Sequence, residues 1–172
     1  MSFHHVAITT KDMSATHEFY AQAMGFSLVR VEKARFGESA WAKHFFYDTG
    51  DGEMLAVWEL HDEALDPGYS TSISEGLGLP RWTNHIAFGS KDKASLDEAR
   101  VRLNKAGHVV TEIDHDWCSS IYATDPNGIM VEFCTTTRAF VEADKRRALA
   151  ALTSDALEDN APPKITMHAA ID

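Results

Sequence analysis

The sequence predicts an α+β protein made of two copies of one β-α-β-β-β unit. Paired, the units would form a curved, partly open eight-stranded mixed sheet or barrel, followed by a C-terminal helix. Two observations support this prediction. One is an internal repeat with an offset of 80 residues, and the other is a strand–turn–strand pattern near the end of each half. Similarity at a fixed offset is typical of duplicated structural units.

The repeat begins with a histidine in each half. Residues 5–12 read HVAITTKD and residues 85–92 read HIAFGSKD, with four identities in eight positions. Alternating β-branched residues favour a strand in both stretches, and the apolar spacing that follows each one favours a helix. Gly25 and Gly107 stand where these helices should end, because glycine readily adopts the left-handed conformation of a helix C-terminus.

The end of each unit also repeats. Residues 47–60 read YDTGDGEMLAVWEL and residues 122–133 read YATDPNGIMVEF. Each stretch predicts a strand, a glycine-containing turn and an apolar strand that carries a glutamate. We therefore expect modules at 1–61 and 82–136, joined by a linker over 62–81 that is rich in glycine, proline, serine and aspartate.

The C-terminal part continues beyond the second unit. Apolar residues at helical spacing predict a helix over 137–153. Residues 154–172 contain Pro162 and Pro163 and little hydrophobic material. We expect this last segment to be a mobile tail or an arm on a partner subunit.

Composition excludes several classes of function. Sixteen Lys and Arg against 26 Asp and Glu give a net charge of −10, which argues against nucleic acid and anionic membrane surfaces as partners. No apolar run is long enough for a membrane helix, and no secretion leader is recognised. Cys118 and Cys134 lack metal-type spacing, so we expect a reducing, cytoplasmic location.

Histidines and glutamates at matched positions predict a metal site. Adjacent residues of a strand face opposite sides, so only one of His4 and His5 can face a given site. The repeat selects His5, because His85 is its counterpart. Glu59 and Glu132 close the last strands of the two units. We expect the four matched residues to converge, since two imidazoles and a carboxylate can hold a divalent first-row metal with open positions.

The motifs HVAITTKD with EFYAQAMGF, NHIAFGSKD and IYATDPNGIMVEF resemble those of the vicinal oxygen chelate superfamily, which includes glyoxalases, bleomycin resistance proteins and extradiol dioxygenases. The resemblance covers residues 3–135. It implies paired βαβββ modules around one metal, with ligands at His5, His85 and Glu132 and the fourth position at Glu59. It also implies a homodimer.

The stretch from Ile113 to Glu132 resembles the local signature of extradiol ring-cleavage enzymes, which implies that His115 and Tyr122 assist catalysis. We therefore expect an Fe(II)-dependent dioxygenase that acts on a catechol-like aromatic with O₂. A glutamate at position 59 favours an alternative, a glyoxalase I- or epimerase-like proton transfer on a carbonyl-containing substrate with Ni²⁺, Zn²⁺, Mn²⁺ or Co²⁺. A third interpretation is a non-catalytic binding protein of the bleomycin-resistance type, but those relatives lack the metal ligands.

Overall fold

The computed structural model describes residues 3–50, 52–156 and 162–171. The first unit has the predicted order of one strand, one helix and three strands. Its helix α1 changes to a π-helical turn over Phe19–Ala23 before it ends. The elements are β1 (His5–Thr10), α1 (Met13–Glu18), β2 (Ser27–Phe36), β3 (Ala40–Gly50) and β4 (Glu53–His61).

The second unit repeats this order after a connection that contains a short helix, α2 (Ile73–Gly76), and a 3-10 turn (Arg81–Thr83). The unit consists of β5 (His85–Gly89), α3 (Lys93–Lys105), β6 (Val110–Asp114), β7 (Cys118–Thr124) and β8 (Met130–Thr136). Two further elements follow, α4 (Glu142–Ala151) and β9 (Lys164–His168). Among the described residues, no helix is both long and apolar enough to cross a membrane.

The strands form two mixed sheets, with the orders β1-β4-β3-β2 and β5-β8-β7-β6-β9. In each sheet the first strand of the unit runs parallel to the last, and the other pairs are antiparallel. The repeat extends to the register, because His5 lies opposite Met54 and His85 lies opposite Met130. The predicted α+β fold with paired βαβββ units is confirmed, and β9 adds a ninth strand.

Equivalent residues of the repeat lie at the two ends of each main helix. The side chain of Asp12 accepts a hydrogen bond from the Ala15 N–H at 3.0 Å, and Asp92 does the same for Ser95 at 2.8 Å. An aspartate in this position satisfies a helix N–H group that has no partner within the helix. Gly25 and Gly107 have φ of +78° and +85° after the helix ends.

The two units share one hydrophobic core. Phe19, Tyr20 and Met24 of the first unit pack in the same cluster as Leu96 and Leu103 of α3. Burial of such large side chains contributes roughly 1.5–3 kcal/mol each relative to exposure. The shared core therefore binds the two units into one body.

A buried polar cluster also joins the units. The Tyr20 hydroxyl donates to Asp125 Oδ2 at 2.8 Å, and the Asn127 amide donates to Thr16 Oγ1 at 3.2 Å. Asp125 and Asn127 lie in the turn before β8, whereas Tyr20 and Thr16 belong to the first helix. Buried polar groups are costly unless they are paired, so this cluster fixes one relative placement of the two units.

Alternation along the strands gives each sheet two distinct faces. We call the face that carries core residues, such as Leu55 in the first sheet and Val131 in the second, the core face. The opposite side is the outer face. Residues directly opposite each other on neighbouring strands share a face, so the register assigns every candidate residue to one face.

The C-terminal segment differs from its prediction. Helix α4 lies inside the predicted range 137–153, but the predicted tail over 154–172 contains β9, which pairs along the whole length of β6. Residues 157–161 and 172 of that range lie outside the described residues. The strand was missed because five residues carry little pattern by themselves, and its hydrogen-bond partners lie some 50 residues earlier in the chain.

Candidate metal centre

His85 and Glu132 meet on the outer face of the second sheet. Glu132 lies opposite Ala87 in the parallel β5–β8 pair, so it shares a face with His85, two residues before Ala87. The His85 Nε2 and Glu132 Oε2 atoms are 3.0 Å apart, and the Glu132 side chain is 7% exposed. A nearly buried carboxylate requires a cationic or hydrogen-bonding partner.

The second ring nitrogen of His85 determines what can lie between these two side chains. His85 Nδ1 is 2.9 Å from the Trp82 carbonyl oxygen, which can only accept, so Nδ1 carries a hydrogen. In a neutral ring, the Nε2 lone pair then faces a carboxylate oxygen that also only accepts. A proton or a metal cation is needed between the two atoms.

This arrangement fits a metal ligand pair. Histidines that bind metals usually donate their other N–H to a carbonyl or carboxylate group, which orients the ring. The 3.0 Å separation is also about the distance between adjacent ligands of one ion whose bonds are about 2.1 Å long. His85 and Glu132 therefore supply two of the donors that a metal site requires.

Tyr122 and His115 extend this group along the same face. Tyr122 lies opposite Glu132 in the β7–β8 pair, and its hydroxyl is 3.0 Å from His115 Nε2. Burial, with a contribution from the Glu132 carboxylate, raises the pKa of Tyr122 to about 12. The hydroxyl therefore stays protonated at neutral pH. Four predicted site residues therefore lie next to one another along the outer face, in the order His115, Tyr122, Glu132 and His85.

His115 stands at the start of a strained turn that no sequence motif predicts. Asp116 has φ of +70°, and the Trp117 N–H donates to the His115 carbonyl at 2.8 Å, which closes a γ-turn. The Thr137 hydroxyl donates to the Asp116 carbonyl at 2.9 Å, and Arg138 Nε donates to Asp116 Oδ2 at 3.3 Å. Such a backbone conformation costs on the order of 1–3 kcal/mol and needs support from its surroundings.

His5 lies on the outer face of the first sheet. Its Nδ1 atom is 2.8 Å from His4 Nδ1, and its ring centroid is 5.8 Å from that of Phe46. Two imidazole nitrogens at this distance share one hydrogen, so one donates and the other accepts. The Nε2 atom of His5 is on the other side of the ring from this contact.

Glu59 lies on the other face of that sheet from His5. Glu59 is opposite Thr10. In the first sheet His5 pairs with Met54, and Ala56 is two residues after Met54. In the second sheet His85 pairs with Met130, and Glu132 is two residues after Met130. Ala56, not Glu59, is therefore equivalent to Glu132. Glu59 is three residues further along the strand, and an odd displacement reverses the face.

Other side chains hold Glu59 on the core face. Its Oε2 atom is 2.7 Å from Lys43 Nζ and 3.2 Å from His61 Nε2. Burial opposes ionisation here, but the hydrogen bonds from Lys43 and His61 prevail and lower the pKa of Glu59. This carboxylate is engaged in an ion pair away from the other candidate ligands.

The four candidate ligands do not form one cluster within a single chain. Within residues 3–50, 52–156 and 162–171, no group of three or more His, Cys, Asp or Glu side chains is placed to hold a metal ion. The structure brings His85 and Glu132 together, leaves His5 on another sheet, and places Glu59 on the opposite face from His5.

His44, on the outer face of the first sheet, was not among the predicted site residues. His44 is 8% exposed and stacks on Trp58 with ring centroids 3.6 Å apart and planes 10° from parallel. Burial lowers the pKa of His44. Its Nε2 atom has no hydrogen-bond partner among the described residues, so the ring keeps one unused hydrogen-bonding position close to Phe46.

Comparison with known families gives one match. The family described as glyoxalase/bleomycin resistance protein/dioxygenase superfamily matches residues 2–133, about three quarters of the chain. No curated protein matches the sequence.

Solved structures with similar folds include proteins with different descriptions. A glyoxylase/bleomycin resistance protein/dioxygenase domain from Frankia sp. EAN1pec has a TM-score of 0.58 at 19% identity, covering 79% of this chain and 98% of that one. Lactoylglutathione lyase from Agrobacterium tumefaciens has a TM-score of 0.51 at 20% identity, covering 78% and 92%. The antibiotic-binding protein TnmS3 from Streptomyces sp. CB03234 has a TM-score of 0.55 at 14% identity, covering 80% and 97%. At these identities the similarity establishes the fold only.

Proposed function

The chain belongs to the glyoxalase/bleomycin resistance protein/dioxygenase superfamily, and from this premise we propose that it is a metal-dependent enzyme that works as a homodimer. His85 and Glu132 of one chain and His5 of a second copy would hold a divalent metal. The equivalence of His5 and His85 in the repeat supports this arrangement. Their location also supports it, because His5 and His85 lie on the outer faces of two different sheets and do not form one cluster among the described residues of a single chain.

The observation that carries the proposal is the line from His85 through Glu132 and Tyr122 to His115. It puts two metal donors beside a phenol and an imidazole that can exchange hydrogen bonds with a substrate. A structural ion pair would need neither the oriented His85 ring nor the histidine beyond Tyr122. The combination is typical of a reactive site.

Ala56 favours ring cleavage among the possible reactions. With an alanine at the position equivalent to Glu132, the donors are two imidazoles and one carboxylate, the set found at non-haem Fe(II) oxygenase sites. We propose Fe(II) as the metal and extradiol-type cleavage of a catechol-like aromatic by O₂ as the reaction. Bound Fe(II) would supply open positions for both substrate oxygens and for O₂.

The neighbouring side chains would control hydrogen bonding and protons. Because the pKa of Tyr122 is raised to about 12, its hydroxyl can donate a hydrogen bond to an oxyanion of the substrate. His115 lies 3.0 Å from that hydroxyl and can hold or return a proton at Nε2, the usual role of a histidine in acid–base catalysis. His44 offers a further nitrogen on the face that carries His5.

The alternative proton transfer with Ni²⁺, Zn²⁺, Mn²⁺ or Co²⁺ has less support from this geometry. This reaction was favoured by Glu59 as a fourth ligand, but Glu59 lies on the core face, where it pairs with Lys43. What remains in its favour is the similar fold of the Agrobacterium tumefaciens lactoylglutathione lyase. The two reactions differ in whether O₂ is consumed.

Metal analysis tests the ligand set. Protein reconstituted anaerobically with Fe(II) should bind about one ion per chain, and His5→Ala, His85→Ala and Glu132→Ala should each lose it. His4→Ala and Glu59→Ala are matched controls that should keep the metal. Full occupancy in the Glu132→Ala protein would contradict the proposal.

Mixing of subunits tests whether each site is shared between copies. His5→Ala and Glu132→Ala homodimers should both lack metal. After unfolding and refolding together, they should form mixed dimers in which one of the two sites is intact. If mixing restores no metal binding while wild-type protein recovers it under the same treatment, the shared site is refuted.

Substrate assays then separate the reactions. The Fe(II) protein should consume O₂ with catechols and give a yellow ring-fission product. Turnover of a hemithioacetal without O₂ uptake would favour the isomerase. Tight binding of either substrate class without turnover would favour the non-catalytic alternative.

A further inference from the structure

The C-terminal extension forms one side of an open cavity beside His115. Residues 134–172 lie beyond the region that matches the superfamily, and β9 joins this extension to the free edge of β6. Between α4, the start of β9 and the His115 turn lies a cavity of about 860 Å³, which we call the α4 cavity. Pockets for small molecules commonly measure about 300–1,000 Å³.

Helix α4 leaves this space unfilled. None of its ten residues is buried, although a helix of this length is only marginally stable in water without packing. The positions that line the cavity include Ala148 and Ala151, one turn apart, whose small side chains leave a gap. Trp117 and Pro163 form apolar parts of the opposite wall. The cavity thus has the lining of a binding site for a partly apolar ligand.

Two cations in the lining, Arg147 and Lys164, keep hydrogen-bond donors that a ligand could use. Arg138 is held by the carboxylates of Asp144, at 2.9 Å, and Asp116, at 3.3 Å. Arg147 contacts Asp144 through one nitrogen at 2.5 Å, and its side chain is 69% exposed. Lys164 lines the same cavity and forms no ion pair in the part of the chain that the structure describes. Arginine and lysine together suit a carboxylate.

The cavity adjoins the proposed reaction site through His115, which lines the cavity and whose Nε2 atom is 3.0 Å from the Tyr122 hydroxyl. A ligand in the cavity would therefore extend past His115 towards Glu132. Asp114 of β6 also lines the cavity, and its Oδ1 atom accepts a hydrogen bond from the Asp116 N–H at 3.0 Å.

We propose that the α4 cavity is a substrate subsite that binds a carboxylate-bearing side chain. The carboxylate pairs with Arg147 and Lys164, and the hydrocarbon part packs against Trp117 and Ala148. This inference deepens the proposed function, because it assigns the substrate to the class of aromatic acids with a separate anionic arm. Binding in the cavity requires no metal, so it can be tested independently.

Calorimetric titration of metal-free protein with 4-phenylbutanoate and with 4-phenylbutanamide tests the subsite. The acid should bind about tenfold more tightly than the amide. An Arg147→Ala/Lys164→Ala double variant should abolish that difference, whereas Arg146→Ala, which removes a charge from the same helix, should keep it within about twofold. Ala148→Leu, which fills the cavity, should weaken both ligands about fivefold or more.

Hydrogen exchange locates the ligand. The acid should slow amide exchange in α4 and β9, and it should do so equally in the Glu132→Ala protein. Loss of the metal site then leaves this result unchanged. Equal affinity for acid and amide, an equal loss with Arg146→Ala, or unchanged exchange in α4 would overturn the proposal. Protection of α4 that rises with protein concentration alone would also overturn it, because a second copy would then occupy the cavity.

Discussion

Replacing Tyr20 by phenylalanine tests whether the polar cluster between the units holds them together. Tyr20 is fully buried, and its hydroxyl donates a 2.8 Å hydrogen bond to Asp125. The substitution removes this donor and leaves the ring in place. A hydrogen bond to a charged group contributes about 1.5–3 kcal/mol, which for a chain of this size corresponds to a fall in Tm of about 4–8 °C.

Tyr47→Phe is the matched control. Tyr47 is also buried, but its hydroxyl contacts His17 of the same unit at 3.0 Å, so its removal should cost only about 0.5–1.5 kcal/mol. Both variants are compared with wild type by urea unfolding at neutral pH. A loss below about 0.5 kcal/mol for Tyr20→Phe, or a loss no larger than that of the control, would refute the reasoning.

The same variant has a predictable pH dependence. Burial raises the pKa of Asp125 above its ordinary value, although hydrogen bonds from Asn127 and Ile129 oppose the rise. As pH falls through that pKa, the acceptor becomes neutral and the hydrogen bond from Tyr20 weakens. The stability difference between wild type and Tyr20→Phe should therefore shrink in acid.

Three further perturbations test other parts of the structure. Asp116→Gly should keep or raise Tm, because glycine adopts positive φ without strain, whereas Asp116→Val should destabilise the protein by about 1–3 kcal/mol in thermal unfolding. Arg102→Ala removes two hydrogen bonds to carbonyls at the end of the first helix and should cost about 2–3 kcal/mol, with Arg100→Ala as the milder control. The hydrogen bond from Lys93 lowers the pKa of Glu112, burial opposes this effect, and the hydrogen bond from His168 adds to the lowering, so the pKa is lowered overall. The attachment of β9 through this carboxylate is therefore complete above the usual glutamate pKa and weakens as pH falls through the lowered value. Amide exchange in β9 should accelerate over that range, and an unchanged rate would contradict this assignment.

The repeat made much of the fold predictable from sequence. Because His5 and His85 begin equivalent strands, the sequence could place them at the same register position, and the structure has them opposite Met54 and Met130. His115 and Tyr122, in contrast, were selected only by the resemblance of their stretch to extradiol enzymes. The register of β7 and β8 places Tyr122 opposite Glu132, and the Tyr122 hydroxyl lies 3.0 Å from His115 Nε2.

The sequence did not predict features that depend on strand register or on contacts between residues distant in the chain. Glu59 and Glu132 looked equivalent because each closes an apolar run, but the face of a side chain depends on its parity along the strand, and Ala56 is the true match. The strain at Asp116 depends on support from Thr137 and Arg138, some 20 residues later. A local sequence pattern cannot predict these hydrogen bonds, because their partners are distant in the chain.

The alanine at position 56 breaks the symmetry of the repeat. It occupies in the first sheet the register position that Glu132 occupies in the second, so one unit presents a methyl group where the other presents a carboxylate. In the proposed shared site, this asymmetry would leave one side of the ion without a protein donor and with room for small reactants.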